Sequence, residues 1–226
     1  MKLIYPELSS AIIEEGRQSI CTEFIIESPE LFSKYLSELL LQINGEEGNY
    51  VLVEEDKELD ISKYVEVVVD PFSVDFNNRK ILTRLYSELS KIAYEDDNYL
   101  CTQEIMADIQ KYLIKLEQTS NFMLNINDEI DVSGLFKTFN IKFEDYSDNY
   151  CDKLIHYIKI LSELLNTKIF VLVNAHSFFP KEQIQEIILS ASYNGVFILL
   201  IENQQKYCSG RDVHTIIIDI DGCEVC

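Results

Sequence analysis

Apolar and polar positions follow two rhythms along this chain, and the clearest switch between them lies over 168–202. Lys-Ile-Phe-Val-Leu-Val-Asn from Lys168 is an unbroken apolar run of strand length. Apolar residues then recur at helical spacing from Pro180 to about Ser192, and Val-Phe-Ile-Leu-Leu-Ile-Glu from Val196 is a second strand. Strand, helix and strand within about 35 residues predict a parallel βαβ unit, because continuous apolar strands are those buried on both faces. The expected fold class is therefore α/β, a mostly parallel sheet with covered faces. Such sheets usually work at the C-terminal ends of their strands. Here those ends carry Asn174-Ala175-His176-Ser177 and Glu202-Asn203-Gln204, polar but matching no catalytic signature.

The rest of the pattern fits around that unit. A strand is predicted over 19–27, then a helix from Pro29, with Ser28 as its N-cap, to about Ile43, where Asn44-Gly45 stops it. Strands follow over 50–53 and 64–69, separated by the acidic turn at 54–58. From Asn77 the rhythm becomes helical. Ile81, Leu82, Leu85, Leu89 and Ile92 form one stripe, Glu95-Asp96-Asp97-Asn98 interrupts it, and Ile105, Ile109, Tyr112, Leu113 and Leu116 form another, a helical hairpin. Strand-like Phe122-Met123-Leu124, a short helix from Asp131, a strand over 140–143, a helix over 148–165 and a last strand over 214–220 complete the expectation. The predicted organisation is an α/β head over 1–77 and 146–226, with a helical leg inserted over 78–145.

Composition narrows the classes. The chain has 226 residues and 47% hydrophobic content, enough for one large core. No apolar run approaches the ~20 residues of a membrane span, and the first residues lack a signal-peptide pattern, so a cytoplasmic protein with six reduced cysteines is expected. Acidic residues outnumber basic ones 39 to 19, a formal charge of −20. Alone, that argues against nucleic acid, whose binding rests on phosphate neutralisation. A local basic lining can nevertheless survive in an acidic protein, and excess carboxylate favours divalent cations.

Familiar chemistry is mostly missing. The seven glycines form neither Gly-x-x-x-x-Gly-Lys-Ser/Thr nor Gly-x-Gly-x-x-Gly, so no phosphate loop is present. Cys223-Glu-Val-Cys226 has half the ligands of a zinc site, and as a tail it reads as two ordinary thiols. His176-Ser177 lacks a nucleophile elbow, and His156 reads as a packing or surface residue. Two acidic groupings stand out: Asp70 with Asp75 and Asn77, and Asn125, Asn127, Asp128, Glu129 and Asp131. They read either as calcium ligands or as strand-end and helix-cap residues. Arg79, Lys80 and Arg84 open the helical stretch, with Lys137 and Lys142 near its exit. Each reads by default as a solvated charge, and their grouping makes a basic lining conceivable.

Three blocks carry a family resemblance: Val-Val-Val-Asp70-Pro-Phe-Ser-Val-Asp75-Phe-Asn77, Leu135-Phe-Lys137-Thr-Phe-Asn-Ile-Lys142-Phe-Glu144, and 168–202. In that order they resemble the Csn-two family, accessory proteins of spacer acquisition in type II-A CRISPR systems. The resemblance implies an α/β head like a phosphate-loop ATPase core without the loop, a helical leg, and no catalysis. It also implies a homotetrameric ring around linear double-stranded DNA, calcium (Ca2+) near the head–leg joint, and work beside the integrase complex and effector nuclease of the same locus. Lys137 and Lys142 coincide with lysines of the family's block and carry its DNA contact; Arg79, Lys80 and Arg84 are assigned to DNA by position. Asp70, Asp75, Asp128, Glu129 and Asp131 are the expected metal ligands. Asparagines replacing acids over 125–131, the Cys-x-x-Cys tail and the low basic content depart from the pattern, and predict weaker calcium sites and a shallow salt dependence. Two competing readings stand beside it: a cryptic nucleotide-dependent or hydrolytic enzyme using Asp70, His176 or Glu202, and a calcium-dependent protein scaffold without DNA binding.

Overall fold

The computed structural model describes residues 1–17, 19–126, 131–144, 149–205 and 213–225. Along the chain come β1 (Lys2–Ile4), β2 (Ile13–Glu14), β3 (Cys21–Ile26), α1 (Pro29–Ile43), β4 (Val51–Glu54), β5 (Lys57–Leu59), the single turn α2 (Ile61–Tyr64) and β6 (Val65–Val68). Next are α3 (Arg79–Ala93), α4 (Asp96–Thr119) and α5 (Val132–Thr138), then α6 (Tyr150–Leu165), β7 (Ile169–Val173), α7 (Lys181–Tyr193), β8 (Phe197–Glu202), β9 (Val213–Ile218) and β10 (Glu224–Val225). The chain separates into two compact units, one of Met1–Asp75 with Asp145–Cys226 and the other of Phe76–Glu144.

The first unit is mixed α/β, as the apolar runs predict. Its main sheet has the order β10-β9-β3-β8-β7-β6, parallel from β9 to β6, with β10 antiparallel on β9. Every residue of β3 and β7 is buried. Side chains alternate between faces, so Phe24, Ile26, Ile169, Val171, Leu199 and Ile201 share one face, packed with Tyr35 and Leu39 of α1. The alternate residues, Ile25, Phe170, Leu172, Ile198 and Leu200, are equally dry on the other face. Burying each such side chain contributes about 1.5–3 kcal/mol. Across the edge strand, Tyr157 of α6 donates to Glu66 of β6 at 2.6 Å. Burial, then the Glu66 charge, push the Tyr157 phenol up, so it stays a donor.

A second sheet, β2-β1-β4-β5, is antiparallel throughout. The pattern did not predict β1, β2, β5 or β10; strands of two or three residues are too short to show a period. The acidic turn proves to be a tight hairpin. Glu54 pairs with Lys57, and Glu55 and Asp56 both take positive φ, +48° and +61°. That is the backbone of a two-residue primed turn, which glycine and asparagine fill far more readily.

The second unit is helical. A short turn at Tyr94 and Glu95 joins α3 to α4, secured by Thr102 Oγ1 donating to the Ala93 carbonyl at 2.8 Å. Two expected strands are absent. Phe122, Met123 and Leu124 form none and are exposed, because three apolar residues without a partner strand cannot satisfy their backbone. The 140–143 segment is irregular, since Asn140 turns left-handed (φ +51°) to close α5. Among the described residues, no helix is long and apolar enough to cross a membrane.

Replacing Glu55 by Asn and Asp56 by Gly together is expected to raise the unfolding free energy by about 1 kcal/mol, relieving left-handed backbone. Urea denaturation measures it, and an unchanged or lower midpoint would contradict the strain argument.

Candidate nucleic-acid interface

Charge is divided unequally between the units. The first carries 28 acidic and 11 basic residues, the second 11 acidic and 8 basic, so 17 of the 20 net negative charges lie in the first. Within the second unit, 76–87 and 132–143 contain Arg79, Lys80, Arg84, Lys137 and Lys142 and not one acid. In the fold these two stretches lie against each other.

Tyr86, Phe76 and Asn77 of the first stretch all reach the second. Tyr86 of α3 donates its hydroxyl to the Ile141 carbonyl at 2.9 Å, and its ring lies 6.2 Å from that of Phe136. The Phe76 and Phe143 rings meet edge to face at 6.4 Å. Asn77 makes the tightest link: its amide nitrogen donates to the Phe143 carbonyl at 3.0 Å while its amide oxygen accepts from the Phe143 N–H at 2.9 Å. One side chain thus pairs with the backbone as a neighbouring strand would. It fixes the residue next to Lys142 beside the start of α3, where Asn78 caps the helix by accepting from Ile81 N.

The cations fall into two groups. Arg84 pairs with Glu88 at 3.3 Å. Among the described residues, Arg79, Lys80, Lys137 and Lys142 join no ion pair, and all four are exposed. Solvated lysines and arginines without carboxylate partners are those most ready to exchange counter-ions for phosphate.

Of the five predicted metal ligands, Asp70, Asp75 and Asp131 are among the described residues. Asp70, in the first unit, accepts from Phe72 N at 2.9 Å and caps a short helical turn. Asp75, also there, is exposed. Asp131, in the second unit, caps α5 and accepts from Ser133 N at 2.9 Å and Ser133 Oγ at 2.6 Å. The Ser133 hydroxyl, then its amide, hold the Asp131 carboxyl below its usual range, with Lys137 adding to the effect. Asp128 and Glu129 lie outside the described residues. Among those described, no three His, Cys, Asp or Glu side chains gather to hold a metal, and Asp70 and Asp131 serve as caps.

His176 and Glu202 do meet, together with an unanticipated third residue. His176 Nε2 lies 2.9 Å from Glu23 Oε1, and Glu202 Oε1 accepts from His176 N at 3.1 Å. Glu23 is 2% exposed and Glu202 fully buried. The signal for Glu23 was in the sequence, an acid inside the apolar run Cys-Thr-Glu-Phe-Ile-Ile. The three groups form a polar cluster that links the inside of β3 to the C-terminal ends of β7 and β8. The connection from β3 to α1 consists of Glu27 and Ser28 alone, too short for a loop of amides around a phosphate. Pro29 removes a donor at the helix start, and Glu30 adds a negative charge there.

Comparison with known proteins gives the family. The family described as CRISPR-associated protein (Cas_Csn2) matches residues 42–222, most of the chain. The chain belongs to the Csn2 family. The CRISPR-associated protein Csn2 of Enterococcus faecalis is 25% identical over 170 residues, covering 75% of this chain and 77% of that protein. All of the second unit, with its acid-free stretches, lies within the span matched by the Csn2 family. Asn77 was anticipated as a calcium ligand or a helix cap; its clamp on Phe143 joins residues 66 apart, which no local pattern announces.

Asn77→Ala is expected to cost about 1–3 kcal/mol, since it removes both hydrogen bonds from the Asn77 amide to the part-buried Phe143 backbone. It should also speed hydrogen exchange at Phe143 while sparing β3 and β7. Uniform exchange changes across both units would argue against a local clamp. His176→Ala is expected to cost about 3 kcal/mol, because Glu23 would be left without its buried imidazole partner; urea denaturation reads this out, and a cost below about 1 kcal/mol would show the trio to be incidental.

Proposed function

We propose that this Csn2-family protein is a non-enzymatic, sequence-independent binder of linear double-stranded DNA that acts in CRISPR spacer acquisition, part of antiviral defence. The packing of two acid-free basic stretches in the second unit, within a chain of charge −20, carries this reading. Arg79, Lys80, Lys137 and Lys142 contact phosphates, with Arg84 shared between DNA and Glu88. Phosphate contacts read no sequence, which suits a protein that must accept any invading duplex.

A homotetrameric ring is the assembly proposed. The longest helix supports it: α4 buries only Met106, while Ile105, Tyr112 and Leu116 on one face stay between 45% and 61% exposed. An amphipathic helix normally covers such a stripe, and further copies of the chain would do so. Closed symmetry then repeats the basic stretches around one hole, while acidic surfaces repel DNA elsewhere. Calcium is proposed as a counter-cation easing assembly of acidic subunits and takes part in no chemical step. The integrase complex and effector nuclease of the same locus are the proposed partners.

The test is a gel shift with linear and covalently closed duplex of one sequence, with calcium or with EDTA. Retention of the linear form alone is expected. Lys137→Ala and Lys142→Ala should each weaken retention and flatten the salt slope by about 0.9 for every phosphate no longer neutralised. Equal retention of circles would remove the ring; calcium-dependent assembly without DNA retention would favour the scaffold. ATP turnover abolished by Asp70→Ala would favour the enzyme.

A further inference from the structure

Between Lys137 and Lys142 stands a residue that neither the packing nor the charge pattern uses. Phe139 is 76% exposed, although its own amide and those of the next two residues are hydrogen-bonded into the helix end. It is the C-cap of α5, and the helix closes around it in a two-bond motif. Asn140, left-handed at φ +51°, donates to the Lys137 carbonyl at 3.0 Å, and Ile141 N donates to the Phe136 carbonyl at 3.0 Å. This is the Schellman pattern, in which the residues flanking the cap close the helix end. Phe136 and Ile141 also face Tyr86 of α3, one through its ring and one through its carbonyl. The segment is therefore held on both sides of Phe139, while the phenyl ring itself projects into water.

We infer that Phe139 is a base-contacting residue: its ring stacks against base pairs of a duplex whose phosphates are held by Lys137 and Lys142. The inference rests on the duplex-binding reading above and adds to it a contact that reaches past the backbone. Charge selects the occupant. The ring projects from an acid-free stretch with a lysine two residues before it and another three residues after, which suits a polyanion better than the apolar groove of a protein. On a duplex, phosphates offer a phenyl group nothing, and the apolar surface is that of the stacked bases. Aromatic stacking on bases tolerates any sequence, since every base has a π-face, so it fits a protein without base-edge readers. Wedging of apolar side chains between base steps is an established way to hold duplex DNA while reading little of it. The bases can be those of a terminal pair, reached from the end of the duplex, or those of an internal step, reached through a groove.

The experiment compares the unchanged protein with Phe139→Ala and Phe139→Trp on a linear duplex carrying 2-aminopurine at the terminal or the central pair. Phe139→Ala is expected to weaken binding about tenfold. Its salt slope should stay unchanged, because every phosphate remains neutralised, whereas Lys137→Ala lowers that slope. Phe139→Trp, which keeps a stacking ring, should bind as well as the unchanged protein. Binding should change 2-aminopurine fluorescence with the unchanged protein and with Phe139→Trp, but not with Phe139→Ala; the responding position tells a terminal from an internal contact. Equal binding and equal fluorescence for Phe139→Ala would overturn the inference while leaving the duplex reading intact. So would failure to assemble with DNA affinity preserved, which would assign the ring to a protein contact. Failure of the unchanged protein to bind any duplex would overturn both.

Discussion

Burial of the parallel sheet on both faces is the constraint that shapes this molecule. With every position of β3 and β7 dry, the centre of the main sheet is covered on both faces. What remains is the rim at the C-terminal ends of the strands. There His176 and Glu202 meet, and the His176 ring reaches back to Glu23 inside β3. The two-residue step from β3 to α1 leaves no room for a phosphate cradle. The first unit holds most of the negative charge, and the two acid-free basic stretches lie in the helical unit.

The helical unit is organised oppositely. Its interior is thin, with Ile81, Tyr86, Met106 and Val132 among its few buried side chains. Specific polar links do the work that a large core does elsewhere: the Asn77 amide on Phe143, the Tyr86 hydroxyl on Ile141, the Asn78 and Asp131 caps. These links set two stretches free of acid side by side. A net charge of −20 and a basic surface are thus compatible, because the average field of a protein and its local potential are different quantities.

The sequence showed some of this plainly. Unbroken runs such as Ile169–Val173 and Phe197–Glu202 declared the parallel sheet, since burial on both faces suppresses alternation. Pro29 and Gly45 marked the two ends of α1 through the backbone geometry each favours. The short strands of the second sheet stayed hidden, because Ile13–Glu14 has too few residues to carry a period. Phe122-Met123-Leu124 misled because an apolar triplet has strand composition whether or not a partner exists. The basic residues could be named from the sequence, but their juxtaposition depends on Asn77 meeting Phe143 across 66 positions, and long-range pairing leaves no local trace. Glu23 was visible as an acid in an apolar strand; only the fold supplied the imidazole that accounts for it.

The wet apolar stripe of α4 has a consequence for what stability means here. A helix that leaves Ile105, Tyr112 and Leu116 in water gains free energy from anything that covers it, so the folded state is linked by mass action to its cover. If that cover is further copies of the chain, the protein has no single melting temperature. Dilution alone then loosens the helical unit, and the cell's expression level becomes one of the variables that hold the fold together.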